Sequence, residues 1–222
     1  MANTQSSEIL DKGLSAMAIS LDGQARERLV VYCAELLKWN NKINLIAKAP
    51  LEQVWETHFF DSLTLLPLLT ASPVADIGTG AGFPGLVLKI ARPDFEVILV
   101  EPRQKRVSFL RHVIRTLNLK GVEVLCGRLE PTSPVIAGQT VSAPIVTSRA
   151  FTAIADFLHH ADPINPAGGR VICMKGPKAD EEIAAWQREQ PQSPYRLAKI
   201  LEAPLPFANI VRKLVVFEKS KG

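Results

Sequence analysis

Val74-Ala-Asp-Ile-Gly-Thr-Gly-Ala-Gly-Phe-Pro-Gly85 is the stretch that decides how this chain is read. An apolar start, then Asp76, then glycines at 78, 80, 82 and 85, describes a buried strand running into a tight turn. The apolar Leu86–Ala91 begins or forms a helix, stopped by Arg92-Pro93. Glycine reaches positive φ and lets a ligand approach the main chain with no Cβ in the way. Free N–H groups at the helix start add a favourable field for polar or anionic groups. Strand, glycine turn and helix together predict a nucleotide or nucleoside site in a doubly wound α/β domain.

Two frames compete within the turn. Gly80-Ala81-Gly82-Phe83-Pro84-Gly85 fits the dinucleotide pattern G-x-G-x-x-G, but Pro84 has no N–H to offer a pyrophosphate. The frame Asp76-x-Gly78-x-Gly80-x-Gly82 resembles motif I of the class I S-adenosylmethionine methyltransferases, whose cofactor carries no pyrophosphate. A turn that binds nothing is disfavoured, since so many glycines cost stability without a ligand.

Working outward, the chain has 222 residues, 47% of them hydrophobic and 22% charged, which describes an ordinary globular protein. Cys33, Cys126 and Cys173 are far apart in apolar runs, so reduced core thiols are expected, not a zinc set or disulfide frame. Neither a signal-like start nor a membrane-length apolar run is present, so a cytosolic protein is expected. No metal is expected from the cysteine spacing, and a monomer is taken as the default. Net charge is +4, and between Arg103 and Arg128 seven basic residues meet one acid. Such a run is a solvated helix face or, beside a nucleoside site, a phosphate-tracking surface formed by Arg103, Lys105, Arg106 and Arg111.

Residues 1–72 read as a helical extension and 73–222 as the α/β domain. Residues 1–7 are polar and expected to fray, and a short helix is expected over 8–20. A stronger helix starts after Asp22 and ends near Trp39, with Asn40, Asn41 and Asn44 in a polar loop. One helix is expected over Leu51–Leu69; His58 in it reads as structural, and Asp61 and Ser62 as local hydrogen-bonding groups. Strands and helices then alternate as in a mostly parallel sheet, with strands predicted at 74–77, 95–101, 122–126, 144–147 and 170–174. A closing antiparallel pair over 195–201 and 209–218 brings the sheet to seven strands.

Ligands of such sheets lie beyond the carboxyl ends of the strands, where strand order reverses. Glu101 ends the second strand, 23 residues after Gly78, where an acceptor can take two ribose hydroxyls. Leu129 and Glu130 follow the third strand, where an adenine can be held. Thr147-Ser148-Arg149-Ala150-Phe151 ends the fourth and lacks the Asn/Asp-Pro-Pro-aromatic tetrapeptide that grips exocyclic amines. An acceptor with an in-plane lone pair, such as guanine N7, needs neither that grip nor a general base, so orientation alone can supply catalysis.

Asn40–Leu45, His58-Phe-Phe-Asp-Ser62, Asp76–Leu86, Glu101–Leu110, Gly127-Arg-Leu-Glu130 and Ser148-Arg-Ala150 resemble, in order, the bacterial glucose-inhibited division protein B family, over roughly 29–176. Its members are 16S ribosomal RNA guanine-N7 methyltransferases. The resemblance implies the class I, Rossmann-like methyltransferase fold, S-adenosylmethionine as cofactor, and 16S ribosomal RNA or the small ribosomal subunit as partner. It implies cofactor contacts at Gly78, Phe83, Leu129, Glu130 and Arg149, to which the turn and strand end add Gly80 and Glu101. No catalytic acid or base is assigned; Arg149 is the candidate for positioning. Leu129 stands where the family usually has alanine, so its side chain must point aside or pack on the adenine. Two other readings are an NAD-dependent oxidoreductase, for which Tyr32 and Tyr195 lack a suitable sequence neighbour, and a non-catalytic RNA-binding module.

Overall fold

The computed structural model describes residues 2–149, 153–208 and 210–221; Ala150, Phe151 and Asn209, which entered the strand-end readings, lie outside them. Seven strands form one sheet in the order β3-β2-β1-β6-β7-β9-β8. They are β1 (Val74–Ile77), β2 (Val97–Val100), β3 (Val122–Leu125), β6 (Ile145–Ser148), β7 (Arg170–Lys175), β8 (Tyr195–Pro204) and β9 (Val211–Lys219). Neighbours from β3 through β7 run parallel, and β9 lies antiparallel between β7 and β8. Strand β1 is flanked by β2 on one side and β6 on the other, so the order reverses there and opens a crevice at the carboxyl ends.

Alternation along the strands divides the core. In β7, Val171 and Cys173 face one apolar cluster with the helices α7 (Ile154–Ala161) and α8 (Ala179–Glu189), whereas Ile172 and Met174 face another with Val74 and Leu88. The third cluster joins α1 (Ala2–Ala16) and α2 (Gly23–Ile43) to Phe83 and to the buried faces of α5 (Gly85–Ala91) and α6 (Gln104–Thr116). Helices of the N-terminal segment therefore share a core with the sheet.

Several local expectations change. Residues 2–7 belong to α1 and do not fray in a separate tail. Helix α2 continues through Asn40 and Asn41 to Ile43, because Asn40 Oδ1 accepts from the N–H groups of Leu45 (2.7 Å) and Ile46 (2.9 Å) and closes the helix end. Asn44 then turns the chain with φ 31°. The stretch from Leu51 is four short pieces: α3 (Leu51–Val54), a π-helical turn (Trp55–Phe60), α4 (Asp61–Leu63) and a 3₁₀ turn (Leu66–Leu68). The proline-rich crossing carries a small hairpin, β4 (Val135–Ile136) with β5 (Gln139–Thr140). Cys33 and Cys173 are buried, and burial pushes both thiols up to about 12, whereas Cys126 is half-exposed and donates to Gln104 Oε1.

Candidate active site

Positive φ at Gly78 (70°), Gly80 (62°) and Gly82 (98°) folds the chain after β1 into a compact turn. Five of its amides, those of Gly78, Thr79, Gly80, Gly82 and Phe83, donate within the protein. Gly78 and Thr79 N–H donate to Val100 O, Gly82 and Phe83 N–H to Thr79 O, and Gly80 N–H to Glu101 Oε2 at 3.0 Å. Asp76 Oδ2 accepts from Gly85 N–H (2.8 Å) and Thr79 Oγ1 (2.5 Å), so the start of α5 is capped from within. Burial pushes the Asp76 carboxyl up to about 6 against those two hydrogen bonds. The expected free helix-start amides are thus spent on Asp76 and on the turn. A pyrophosphate would find few donors here, which counts against the dinucleotide frame.

A cavity of about 490 Å³ lies beyond the carboxyl ends of β1, β2 and β3. Gly78, Glu101, Leu129 and Glu130 line it, together with Arg103, Arg106 and His160. A Cβ built on Gly78 meets nothing within 4 Å, so at this glycine the turn borders open space. Glu101 is 2% exposed, and its two oxygens accept from Gly80 N–H and Arg103 N–H, the latter at 2.9 Å. Each carboxylate oxygen carries a further lone pair, so the acid stays competent to accept from hydroxyls in the cavity.

Phe83 and Arg149 lie together beside this cavity and do not line it. Phe83 is buried with its ring stacked between Tyr32 (5.4 Å) and His58 (5.0 Å), and the Arg149 guanidinium carbon lies 5.2 Å from its centroid. Arg149 does not pair with Asp76 or Glu130, the acids nearest in the strand-end pattern. Its Nη1 donates to Thr57 O at 2.7 Å and lies 3.7 Å from Asp61 Oδ2. His58 is held neutral: burial first, then the Arg149 charge, pushes its imidazole down to about 3.

A family model described as rRNA small subunit methyltransferase G matches residues 25–202. The chain belongs to this family. Ribosomal RNA small subunit methyltransferase G of Desulfotalea psychrophila is 46% identical over 209 residues, covering 93% of this chain and 95% of the relative. The protein of the same name from Myxococcus xanthus is 38% identical over 221 residues, covering 99% and 100%. Among solved structures, a methyltransferase from Pyrococcus furiosus superposes with TM-score 0.56 at 13% identity, over 87% of this chain and 96% of that one. Pyrococcus horikoshii TYW2 in complex with MeSAdo gives TM-score 0.56 at 13% identity, over 81% and 67%. The fold is the class I, Rossmann-like methyltransferase fold.

Leu129, in place of the family's usual alanine, is accommodated by the core. Its side chain is 6% exposed and packs in the cluster of Val100, Leu125 and Ile136, while the residue still borders the cavity. The basic run splits in two. Lys105 and Arg111 stand exposed on the outer side of α6, whereas Arg106 turns inward, 3.7 Å from Glu101 Oε2, and Arg103 lines the cavity. His160, Thr57 and Tyr32 were missed as neighbours of the site. His160 and Tyr32 come from helices whose periodicity reports only burial, and Thr57 contributes a backbone carbonyl, which no side-chain pattern encodes. Among the described residues no helix is long and apolar enough to cross a membrane.

Proposed function

We propose that this chain transfers a methyl group from S-adenosylmethionine to N7 of a guanine in 16S ribosomal RNA, free or in the small subunit, in the cytoplasm. The observation that carries the reading is the pairing of Glu101 with the glycine turn: a buried acceptor fixed by Gly80 N–H at the rim of a 490 Å³ cavity. The fit is that of a nucleoside without pyrophosphate. Glu101 presents acceptors suited to ribose hydroxyls, Gly78 leaves room for close approach, and Leu129 and Glu130 border the space for an adenine. Gly80 supports Glu101, and Phe83 and Arg149 mark the end where cofactor and acceptor base meet. Bound S-adenosylmethionine supplies an electrophilic sulfonium methyl.

Guanine N7 brings its own in-plane lone pair, so the chain has no proton to remove and needs no general base. Its task is orientation, which is worth several kcal/mol when reacting atoms are held in line. Arg149 suits this task, since a guanidinium fork can donate to guanine O6 or to the cofactor carboxylate. Lys105 and Arg111 offer the RNA backbone an exposed basic face, with Arg103 and Arg106 nearer the cofactor. In this reading residues 1–72 form an extension packed on the methyltransferase domain of 73–222.

Incubation of the purified chain with methyl-labelled S-adenosylmethionine and small ribosomal subunits or their RNA should place label at one guanine N7. Titration calorimetry should show S-adenosylmethionine binding and no NAD binding. Tight NAD binding without methyl incorporation would overturn the proposal, and cofactor binding without methylation of any ribosomal RNA would favour the RNA-binding module.

A further inference from the structure

The turn Trp55–Phe60 is π-helical, and this changes where its carbonyls point. In an α-helix the carbonyl of Thr57 would accept from the N–H of Asp61. Here the Asp61 N–H goes to Glu56 O and His58 O, and the Thr57 carbonyl accepts from Arg149 Nη1 at 2.7 Å. Single π turns of this kind recur at functional sites because they re-aim backbone groups. Asp61 itself is fully buried. Its Oδ1 accepts from Arg212 Nε at 2.6 Å, and its Oδ2 has no hydrogen-bond partner and faces Arg149 Nη1 at 3.7 Å.

A carboxylate with an unsatisfied oxygen in a sealed site is costly. If Asp61 served only to hold Arg212, a geometry using both oxygens on one guanidinium fork would be cheaper. The observed arrangement instead stretches one acid between two guanidiniums. The two arginines repel each other, and Asp61 offsets that repulsion. Arg149 therefore rests in a seat built by the Thr57 carbonyl and the Asp61 carboxylate of one short segment, with its guanidinium carbon 5.2 Å from the centroid of the Phe83 ring of the glycine turn, on which His58 also stacks.

We infer that Asp61 is a positioning residue for methyl transfer, acting through Arg149. The inference rests on the proposed methyltransferase function, in which Arg149 orients cofactor and acceptor. Arg149 leaves the end of β6 with a long flexible stem, and without the Asp61 carboxylate 3.7 Å from Nη1 its guanidinium loses the anion that holds it in register, whether or not Arg212 is present. Displacement of an orienting group by about 1 Å costs on the order of 100-fold in rate.

The test measures single-turnover methyl transfer to small ribosomal subunits, with melting temperature, for the full chain and four variants. Asp61→Asn should be roughly 10- to 100-fold slower than the parent. Combined with Arg149→Lys, it should be no slower than Arg149→Lys alone, because both lesions remove the same function. Charge-balanced Asp61→Asn/Arg212→Leu should recover melting temperature but not rate, and it carries the test if Asp61→Asn alone does not fold. Additive losses in the Arg149→Lys background, a parental rate for Asp61→Asn, or recovery of rate together with melting temperature would overturn the inference. A parent that methylates no guanine N7 would instead refute the function, so the two failures are distinguishable.

Discussion

The Tyr32 hydroxyl donates its proton to the Ala81 carbonyl, so helix α2 is bonded to the glycine turn itself. The tyrosine is fully buried, and its ring stacks on Phe83 two residues further along the turn. Tyr32→Phe keeps the ring and leaves the Ala81 carbonyl without its donor. The expected cost is about 1–3 kcal/mol. A loss of that size lowers the melting temperature by several degrees, and S-adenosylmethionine binding should weaken several-fold because Gly80 and Gly82 flank Ala81. A parental melting temperature and affinity would show the contact to be dispensable.

Gly78 and Gly85 sit seven residues apart and should fail in opposite ways. Gly78 has φ +70° and open space around an added Cβ, whereas at Gly85 a Cβ would collide with Leu99 and come within 2.9 Å of Asp76 Oδ2. Gly78→Ala then strains the backbone by roughly 1–2 kcal/mol and projects a methyl into the cavity. Gly85→Ala overpacks the α5–β2 contact, at about 1–3 kcal/mol, away from the cavity. The first variant should fold and lose cofactor affinity; the second should melt lower yet bind in proportion to its folded fraction. Calorimetric titration alongside thermal melts reads both, and equal affinity losses per folded molecule would contradict the assignment of the cavity.

The sheet was legible because its information is local. Val97–Val100 is a continuous apolar run and Val74–Ile77 an apolar run broken only by Asp76, and Gly78, Gly80 and Gly82 take positive φ in the turn that follows. Gly78, Glu101, Leu129 and Glu130 line one cavity, since strand ends of a parallel sheet converge on one crevice. What stayed hidden depends on partners distant in the chain. The π turn at Trp55 is set by tertiary packing, and Glu56 shows how: its buried carboxylate accepts from Phe207 and Ala208 N–H across 151 and 152 positions. Arg149 pairing with Asp61, not Asp76 or Glu130, has the same origin. Asn40 was misread because its composition favours turns, while its actual role is to cap the helix it ends.

The split of the basic run separates RNA affinity from cofactor affinity. Lys105→Glu with Arg111→Glu should weaken binding to ribosomal RNA and lower the slope of log K against log salt by about one per lost phosphate contact. S-adenosylmethionine affinity should not change, because both side chains stand outside the cavity. Arg106→Glu should instead impair cofactor binding, since it sets an acid beside Glu101 in place of the guanidinium 3.7 Å away. An unchanged salt slope in the first variant would return Lys105 and Arg111 to the role of a solvated face.

His58 should leave a signature in acid. Its imidazole is pushed from 6.5 to about 3 by burial and then by the Arg149 charge, and Nδ1 is buried without a hydrogen-bond partner. In the unfolded chain the same ring takes up a proton near pH 6.5. Between those two values the unfolded state binds more protons, so this group's contribution to stability is complete above pH 6.5 and falls as pH drops toward 3. The limiting slope is about 1.4 kcal/mol per pH unit. Asp76, pushed up to about 6, and Asp61, also raised by burial, act in the opposite direction as pH falls, and they mask the histidine in the parent protein alone. His58→Gln retains both acids and removes the titrating ring. The stability of the parent minus that of His58→Gln, from urea melts, should therefore decrease by about 2 kcal/mol between pH 7.5 and pH 5. A difference that stays flat over that interval would mean that the ring takes up its proton in the fold as readily as in the unfolded chain, and the histidine held neutral on Phe83 would have to be abandoned.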